Sequence, residues 1–312
     1  MNEIIINSQS IEKVVREKLG KPRGEILRNE VEKITSLVLE GEELLDISCI
    51  SNFKNLKELV LYDADLYNIE PLSSLNKLEK LIISKNNISD LTPLSDLKNL
   101  KMLEADSNQI FDISPLRNLK LLNYLFLENN KIEYIDILSY LCNLKIISLH
   151  NNNVNDISSL QYLENLYILI LSKNKISKIN SISNLTNLVE LCINDNDINE
   201  IDSIIYLKRL QKLNVSHNRI ESIVSLENLR FIENLSIDNN RIEDISFLKF
   251  LTKMKILNIN NNRINDISSL SQLRNLKELN ISYNLIKSLS GLDFLEELEI
   301  LIASNCKIED LS

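Results

Sequence analysis

The sequence is poor in the residues that make linkers and in the long apolar runs that cross membranes. It has four glycines, four prolines and no tryptophan among 312 residues, which argues against flexible linkers and low-complexity tails. No run of about 18 apolar residues occurs, so we expect no insertion into a membrane. The first residues lack the basic and apolar segments of a secretory signal. This favours a cytoplasmic protein, whereas a trimmed signal would mean a secreted or cell-surface one.

Positive charge is also in short supply. Lysine and arginine number 35 against 44 acidic residues, for a net charge of −9 and an isoelectric point near 5.0. A general nucleic-acid binder needs a basic face, because neutralising phosphates supplies most of its affinity. We therefore expect no nucleic-acid partner.

What the chain has in abundance is a repeat of 22 residues. It runs without insertion from Ile34 to Glu297 as twelve complete repeats, and a thirteenth, partial repeat begins at Leu298. Positions 1, 4, 6, 11, 14, 17 and 20 are apolar in every complete repeat. Such a period is typical of a solenoid, in which each repeat buries its apolar side chains against its neighbours. We divide the chain into an N-terminal helical cap, 1–33, and a repeat domain, 34–312.

The spacing within one repeat predicts its local structure. Apolar positions 4 and 6 indicate a short strand over positions 3 to 7, and the three-residue spacing of positions 14, 17 and 20 favours a 3₁₀ turn. Aspartate recurs at position 13, and serine or threonine at position 15; both cap such turns. The fold class is therefore α/β, a leucine-rich-repeat solenoid. We expect a right-handed curved superhelix with a parallel β-sheet on its concave face and short 3₁₀ or irregular segments on its convex face.

Position 9 is asparagine in ten successive repeats. A short amide both donates and accepts hydrogen bonds, so it satisfies backbone groups of adjacent turns where the chain bends inside the stack. We predict a structural asparagine ladder rather than a binding site. Its members are Asn86, Asn108, Asn130, Asn152, Asn174, Asn196, Asn218, Asn240, Asn262 and Asn284.

Two stretches resemble the 22-residue repeats of bacterial internalins: Asn86-Asn-Ile-Ser-Asp-Leu-Thr-Pro-Leu and Asn108-Gln-Ile-Phe-Asp-Ile-Ser-Pro-Leu. The leucine-rich repeats of eukaryotic phosphatase regulators share this repeat length. The resemblance covers residues 8–312, and it is more specific for fold than for partner. It implies a helical cap before the first repeat, which would otherwise expose its apolar end.

The segment before the repeats fits such a cap. Ile11, Val14, Val15 and Leu19 lie on one face of a predicted helix, and Gly20 is a suitable stop. A second helical stretch is expected near residues 29–33, although the leucine at position 27 stands where a serine or threonine cap would be usual.

The histidines and cysteines are too scattered to share chemistry. His150 and His217 stand three repeats apart, about 14 Å at the spacing of parallel strands, too far to ligate one metal ion. The cysteines match no zinc or redox spacing and lie in distant repeats, beyond disulfide reach; they are Cys49, Cys142, Cys192 and Cys306. No nucleophile and base converge, so we expect no metal, no cofactor and no enzyme.

A row of arginines occupies position 10 of three successive repeats, at Arg219, Arg241 and Arg263. Such a row could hold an anion. Glu221 and Glu243 follow two residues after the first two arginines, and we predict that these acidic residues offset them in a solvated, paired row.

Positions 3, 5 and 7 of each strand point away from the core, and their character changes along the chain. Early repeats carry apolar and aromatic residues with acidic neighbours, whereas later repeats carry mainly asparagine and serine. An exposed apolar patch indicates an interface, and carboxylates beside it favour a partner's lysine or arginine. β-propensity explains single isoleucines, but it explains the aromatic cluster less well. The predicted partner-binding residues are Val60, Tyr62, Ile82, Met102, Glu104, Asp106, Tyr124, Phe126, Glu128, Ile146, Ile168 and Ile170, with Tyr167 at the margin.

The sequence thus predicts a non-catalytic, monomeric module that binds a protein partner of unknown identity through its concave face. Two alternatives stay open. One is an internalin-like cell-surface adhesin, which a signal peptide or wall anchor in the native gene would favour. The other is a regulatory subunit of a protein phosphatase, which co-purification with a phosphatase would favour.

Overall fold

The structure, a computed structural model, describes residues 3–41, 44 and 46–309. The chain forms two compact units, Met1–Asn153 and Val154–Ser312. Each unit is a stack of 22-residue repeats, so the predicted leucine-rich-repeat solenoid is confirmed. No helix in the described ranges is long and apolar enough to cross a membrane.

Two helices precede the first strand: α1, Gln9–Leu19, and α2, Arg28–Val31. At the start of α1 the Ser8 hydroxyl accepts a hydrogen bond from the Ile11 amide. The helix ends at Gly20, whose φ of 61° is a conformation that glycine adopts without strain. Ile11 and Val15 are buried, and α1 packs against the first strand. The predicted apolar face therefore packs against the repeats.

The second helix is shorter than expected and begins at Arg28. Leu27, just before it, has no capping side chain; its amide instead donates to the Glu30 carboxylate at 2.8 Å. Lys21 also binds that carboxylate, at 2.9 Å. The Leu27 amide and Lys21 together hold the pKa of Glu30 below its usual value. Glu30 thus supplies the glutamate half of a capping box, while the half that a serine or threonine at the cap position would supply is missing.

The strands of each unit pair in parallel and in sequence order, each residue with the one 22 positions further on. The strands of the first unit are β1 Ser36–Glu40, β2 Glu58–Tyr62, β3 Lys80–Ile82, β4 Met102–Glu104, β5 Tyr124–Phe126 and β6 Ile146–Ser148. Those of the second unit are β7 Ile168–Ile170, β8 Glu190–Cys192, β9 Lys212–Asn214, β10 Asn234–Ser236, β11 Ile256–Asn258, β12 Glu278–Asn280 and β13 Ile300–Ile302.

Only β1 and β2 extend over positions 3 to 7 as predicted; the later strands end at position 5. The chain still bonds the next repeat beyond that point, as between the Ile83 amide and the Glu104 carbonyl at 2.8 Å. It then bends at position 8, where φ lies between 50° and 64° in every repeat from Gly41 to Asn305. The left-handed turn therefore falls one residue before the asparagine ladder.

Short 3₁₀ helices follow the strand in each of the first eleven repeats, as the spacing predicted, whereas the twelfth repeat has turns at this place. In the first unit they are Ser48–Asn52, Glu70–Ser74, Thr92–Leu94, Ser114–Asn118 and Asp136–Tyr140. In the second they are Ser158–Tyr162, Asn180–Asn184, Asp202–Tyr206, Val224–Leu226, Ser246–Phe250 and Ser268–Gln272. The position-13 aspartates cap them: Asp90 accepts from the Thr92 amide at 2.7 Å. The Thr92 hydroxyl and amide hold the pKa of Asp90 below its usual value.

The apolar positions form the core of each unit. Nearly all of them are less than 9% exposed, and most are fully buried, as at Leu81 and Leu213 with 0% and 2%. Exposure rises at β13, the last strand of the second unit, where Leu301 is 43% exposed. Stacking of repeats, rather than packing within one repeat, therefore buries the apolar side chains.

Candidate functional site

The open face of each unit is the sheet face formed by side chains at positions 3, 5 and 7, opposite the buried positions 4 and 6. In the first unit the parallel register places Met102, Tyr124 and Ile146 side by side at position 3 of β4, β5 and β6. Neighbours in such a row are about 4.8 Å apart. Tyr124 is 37% exposed, and the other two are half-buried. The structure thus brings these three predicted residues together as one apolar row.

A second row runs along position 5. It places Ile82 beside Glu104, and Glu104 beside Phe126; all three are half-buried. Phe126 lies two residues from Tyr124 on the same strand, so both aromatic rings project from the same face of β5. The two rows together give an aromatic centre with a carboxylate beside it.

Val60 offers less surface than predicted. It is on the open face, between Val38 and Ile82 in register, but only 6% of it is exposed. Val38, which the sequence reasoning left out, is 41% exposed. The signal for Val38 was available, because it holds position 5 one repeat before Val60. Tyr62, at the end of β2, is half-buried and carries the Lys85 ammonium 5.1 Å from its ring centre.

The acidic residues beside the aromatic rings are held in place by hydrogen bonds. Asp106 accepts from the backbone amide of Glu128 at 2.6 Å. Ser148 donates its hydroxyl to the Glu128 carboxylate. Ser84 donates to Glu104 at 3.3 Å and accepts from the Asp106 amide at 3.0 Å. The serines were not predicted as part of the site, and both are at most 2% exposed.

Asp106 has the most unusual ionisation of the group. Burial raises its pKa to about 7, the hydrogen bond from the Glu128 amide opposes this, and the negative charges of Glu128 and Glu104 raise it further. Within the described part of the chain, no lysine or arginine pairs with any of the three carboxylates. The open face therefore carries acidic groups without cations beside an apolar, aromatic surface.

The open face of the second unit is different. Ile168 and Ile170 on β7 are half-buried, and Tyr167, just before them, is 49% exposed. Their register partners on β8 are Glu190 and Cys192, so the apolar character ends after one strand. From β9 onward position 5 carries asparagine or serine until β13, at Asn214, Ser236, Asn258 and Asn280.

Cys192 is the one thiol on this face that could be considered for chemistry. Burial, followed by the nearby charge of Glu190, raises its pKa to about 11. A thiol with a raised pKa stays protonated at neutral pH and is a poor nucleophile. The position of Cys192 therefore gives it no catalytic advantage.

The asparagine side chains at position 9 bridge consecutive repeats. Asn108 donates to the carbonyls of Ile83 in the preceding repeat and Ala105 in its own, at 2.9 and 3.1 Å. Its side-chain oxygen accepts from the Ile88 amide at 3.0 Å. Other ladder asparagines show the same set of partners, as at Asn262. These amides are occupied by the backbone, so they are not open to a ligand.

The arginine row is paired, but with a shift of one repeat. Arg241 and Arg263 bind Glu221 and Glu243 of the preceding repeats at 3.5 and 3.6 Å. Arg219 binds Asp197, again one repeat back. The carboxylates thus offset the row, with each pair joining two repeats.

His217 lies 3.9 Å from Asp195 and 3.7 Å from Asp238, across three successive repeats of the second unit. His150 belongs to the first unit. Among the residues that the structure describes, no group of three or more histidines, cysteines, aspartates or glutamates could hold a metal ion. The four cysteines are free thiols.

Comparisons with known proteins agree with this architecture. The family model for leucine-rich repeats (two copies) matches residues 208–250, 231–272 and 252–294. No curated protein matches the chain significantly by sequence. Among solved structures, an internalin (InlF) from Listeria monocytogenes is 32% identical, with a TM-score of 0.95, over 98% of this chain and 92% of that one.

Two further structures share the fold. The functional domain of InlJ from Listeria monocytogenes is 19% identical, with a TM-score of 0.81, over 97% of this chain and 70% of that one. A plant peptide hormone receptor, RGFR1, solved in complex with RGF2, is 23% identical, with a TM-score of 0.76, over 87% of this chain and 48% of that one. Given its extended similarity to InlF and its unbroken 22-residue repeats, the chain belongs to the internalin family of leucine-rich-repeat proteins.

Proposed function

We propose that this chain is a non-catalytic, monomeric module that binds a protein partner through the open face of its first unit. Leucine-rich-repeat stacks serve in general as protein-interaction modules, because repetition gives them an extended surface. The observation that carries the proposal is the pairing of an aromatic centre with acidic groups that lack cations. Tyr124 and Phe126 form that centre, and Glu104, Asp106 and Glu128 lie beside it on the same two repeats.

The two kinds of surface have different roles. Aromatic side chains at the middle of an interface contribute large areas at low cost in conformational entropy, and they are frequent hot spots. Carboxylates without ion-pair partners attract a partner's lysine or arginine and discourage an acidic partner. The partner that fits best has an apolar surface with a basic residue close to it. Val38, Ile82, Met102 and Ile146 would extend the apolar contact; Val60 would add little.

The test removes the aromatic centre and leaves the stack intact. A Tyr124→Ala, Phe126→Ala double variant is expected to weaken partner binding at least about 30-fold, from a loss of roughly 2 kcal/mol or more at a hot spot. The partner is first captured from native-host material and identified by mass spectrometry. Its dissociation constant is then measured by calorimetry with the parent and the variant, and light scattering reports whether the chain is a monomer.

The matched control is Asn234→Ala, Ser236→Ala, which alters the same two positions of the repeat on β10. It should leave affinity unchanged, since these residues lie on the polar open face of the second unit. Equal affinities for the parent and the aromatic double variant, with both variants folded by circular dichroism, would rule out the first unit's open face as the binding surface.

A second candidate is a cell-surface adhesin, which membership of the internalin family favours. It would use the same face but meet its partner outside the cell, whereas a cytoplasmic module would meet its partner inside the cell. Intact native cells are treated with protease, and the chain is then detected with an antibody. An adhesin is degraded because it is accessible from outside, whereas a cytoplasmic chain is protected. The phosphatase-regulator alternative is supported only by the repeat length that this chain shares with those regulators.

A further inference from the structure

A groove crosses the 3₁₀ helices of the second unit, away from its strands. It has a volume of about 640 Å³, within the range of sites that hold a small ligand or a few side chains. Its lining includes Asp202, Ile205, Tyr206, Val224, Ser225 and Glu227. We call it the Tyr206 groove.

Ser225 in the wall of this groove differs from equivalent serines. At the same repeat position, the Ser203 and Ser269 hydroxyls donate to the carbonyls of Ile179 and Ile245, both at 3.1 Å. Ser225 is 4% exposed, and its hydroxyl has no hydrogen-bond partner. A buried hydroxyl without a partner is costly. Ser225 is part of the lining of the groove, so a polar occupant is a candidate partner for this hydroxyl.

The ring of Tyr206 also lacks the cation that covers some of the rings at the same repeat position. Tyr140, at the same repeat position in the first unit, carries Arg117 and Lys120 at 4.0 and 4.8 Å from its ring centre. Phe250, again at this position, carries Lys249 at 5.1 Å. Tyr206 is 59% exposed, and within the described ranges no lysine or arginine lies over it.

The charge of the groove has one sign. Asp202 and Glu227 line it, and no basic residue does. Within the part of the chain that the structure describes, neither carboxylate takes part in an ion pair. Two carboxylates and an uncovered aromatic ring form a site for a cation. Ile205 and Val224, the latter 44% exposed, add an apolar wall beside it.

We propose that the Tyr206 groove binds an arginine side chain of a protein partner, with an aliphatic neighbour of that arginine packed on Ile205 and Val224. A guanidinium is planar, stacks on aromatic rings and has five donors, so it suits a groove lined by a ring, two carboxylates and a hydroxyl. The ammonium of a lysine would also match the charge of the two carboxylates, but it is not planar and does not stack on the ring. This surface is separate from the open face of the first unit.

The test uses defined peptides and the full chain. Acetyl-Arg-Leu-amide is titrated into protein labelled at isoleucine and valine methyl groups, and the Ile205 and Val224 signals are followed by NMR. Acetyl-citrulline-Leu-amide, of nearly the same shape but uncharged, is expected to bind about tenfold more weakly. Tyr206→Ala should weaken the arginine peptide about fivefold, and Ser225→Ala about twofold.

Tyr162→Ala is the matched control, because Tyr162 holds the same repeat position and is 57% exposed but does not line the groove. It should bind the arginine peptide as the parent does. Equal binding of the arginine and citrulline peptides overturns the proposal, as does full affinity in Tyr206→Ala. Methyl shifts with cellobiose, and none with the arginine peptide, would assign the groove to a neutral sugar instead.

Discussion

The raised pKa of Asp106 makes the charge of the first unit's open face depend on pH near neutrality. The carboxyl group is held among buried groups near two other carboxylates, so its proton leaves only near pH 7. Above that pH the acidic cluster gains a third negative charge, which favours a basic partner. A carboxylate of ordinary pKa would already be charged at pH 5, so this dependence is specific to the place that Asp106 occupies.

The same group makes a prediction about stability. The pKa of Asp106 is about 7 in the folded protein, above its usual value of 3.8, so the folded state holds more protons than the unfolded state between these limits. Its contribution to the free energy of unfolding therefore falls as pH rises from about 4 to about 7. Asp106→Asn should remove this decline and make the protein more stable than the parent at pH 8, as measured by urea denaturation at pH 5 and pH 8.

Asp90→Asn is the control, and it is expected to change the free energy of unfolding at pH 8 in the opposite direction. The Thr92 hydroxyl and amide lower the pKa of Asp90, so its charged form stabilises the fold above the unfolded-state pKa, and this contribution is lost as pH falls. The variant should be less stable than the parent at pH 8. If Asp106→Asn behaves in the same way as Asp90→Asn, burial does not raise the pKa of Asp106.

At the scale of the repeat, the apolar spacing was sufficient to predict strand, 3₁₀ turn and stacking, because burial acts on every repeat alike. The left-handed turn at position 8 was missed. Asn129, Asn151 and Asp195 stand there, and these residue types tolerate positive φ well. Lys85 and Tyr283 hold the same position in other repeats, and their residue types do not indicate a left-handed turn. Their conformation is imposed by hydrogen bonds to the next repeat, as from Lys85 to the Asp106 carbonyl at 2.8 Å, and local preference does not reveal it.

The asparagine ladder gives a direct test of how repeats are joined. Asn108→Ala leaves the buried Ile88 amide without its partner inside the stack. It also removes one of the two side-chain donors that the Ile83 and Ala105 carbonyls each receive, since Asn86 and Asn130 supply the other. We expect a loss of about 3 kcal/mol in the free energy of unfolding, measured in urea. Asn108→Cys should lose less, since Cys306 stands at this position in the last repeat with its sulfur 3.3 Å from the Ile281 carbonyl.

The control for the ladder is Asn99→Ala. Asn99 also bonds a carbonyl of the preceding repeat, that of Asn76 at 2.6 Å, but it is exposed, so water replaces the lost donor. A change of at most about 0.5 kcal/mol is expected. Similar losses in the Asn99 and Asn108 variants would mean that burial does not set the strength of the ladder.

At the scale of a whole unit, the candidate site could be predicted in outline but not in detail. Alternation along strands correctly placed Tyr124 and Phe126 on the same face, since a strand has no other way to project them. It could not show that Val60 is covered, because that depends on neighbouring strands. Nor could it show that Ser148 fixes Glu128, or that Ser225 lacks a partner; both follow from how one repeat lies on the next.

Stacking also determines how far the effect of a destabilising substitution extends through the first unit. Ile11 of α1 is fully buried, and the helix covers the end of the stack at β1. Ile11→Ala should destabilise this cap by about 3 kcal/mol. Each repeat is stabilised chiefly by its immediate neighbours, so amide protection should fall most in β1 and β2 and least in β5 and β6.

Hydrogen exchange followed by mass spectrometry measures this gradient, and Lys13→Ala, at an exposed position of α1, is the control. A uniform loss of protection from β1 to β6 would show that the unit unfolds as a single cooperative body, and nearest-neighbour stacking would then be the wrong description of its stability.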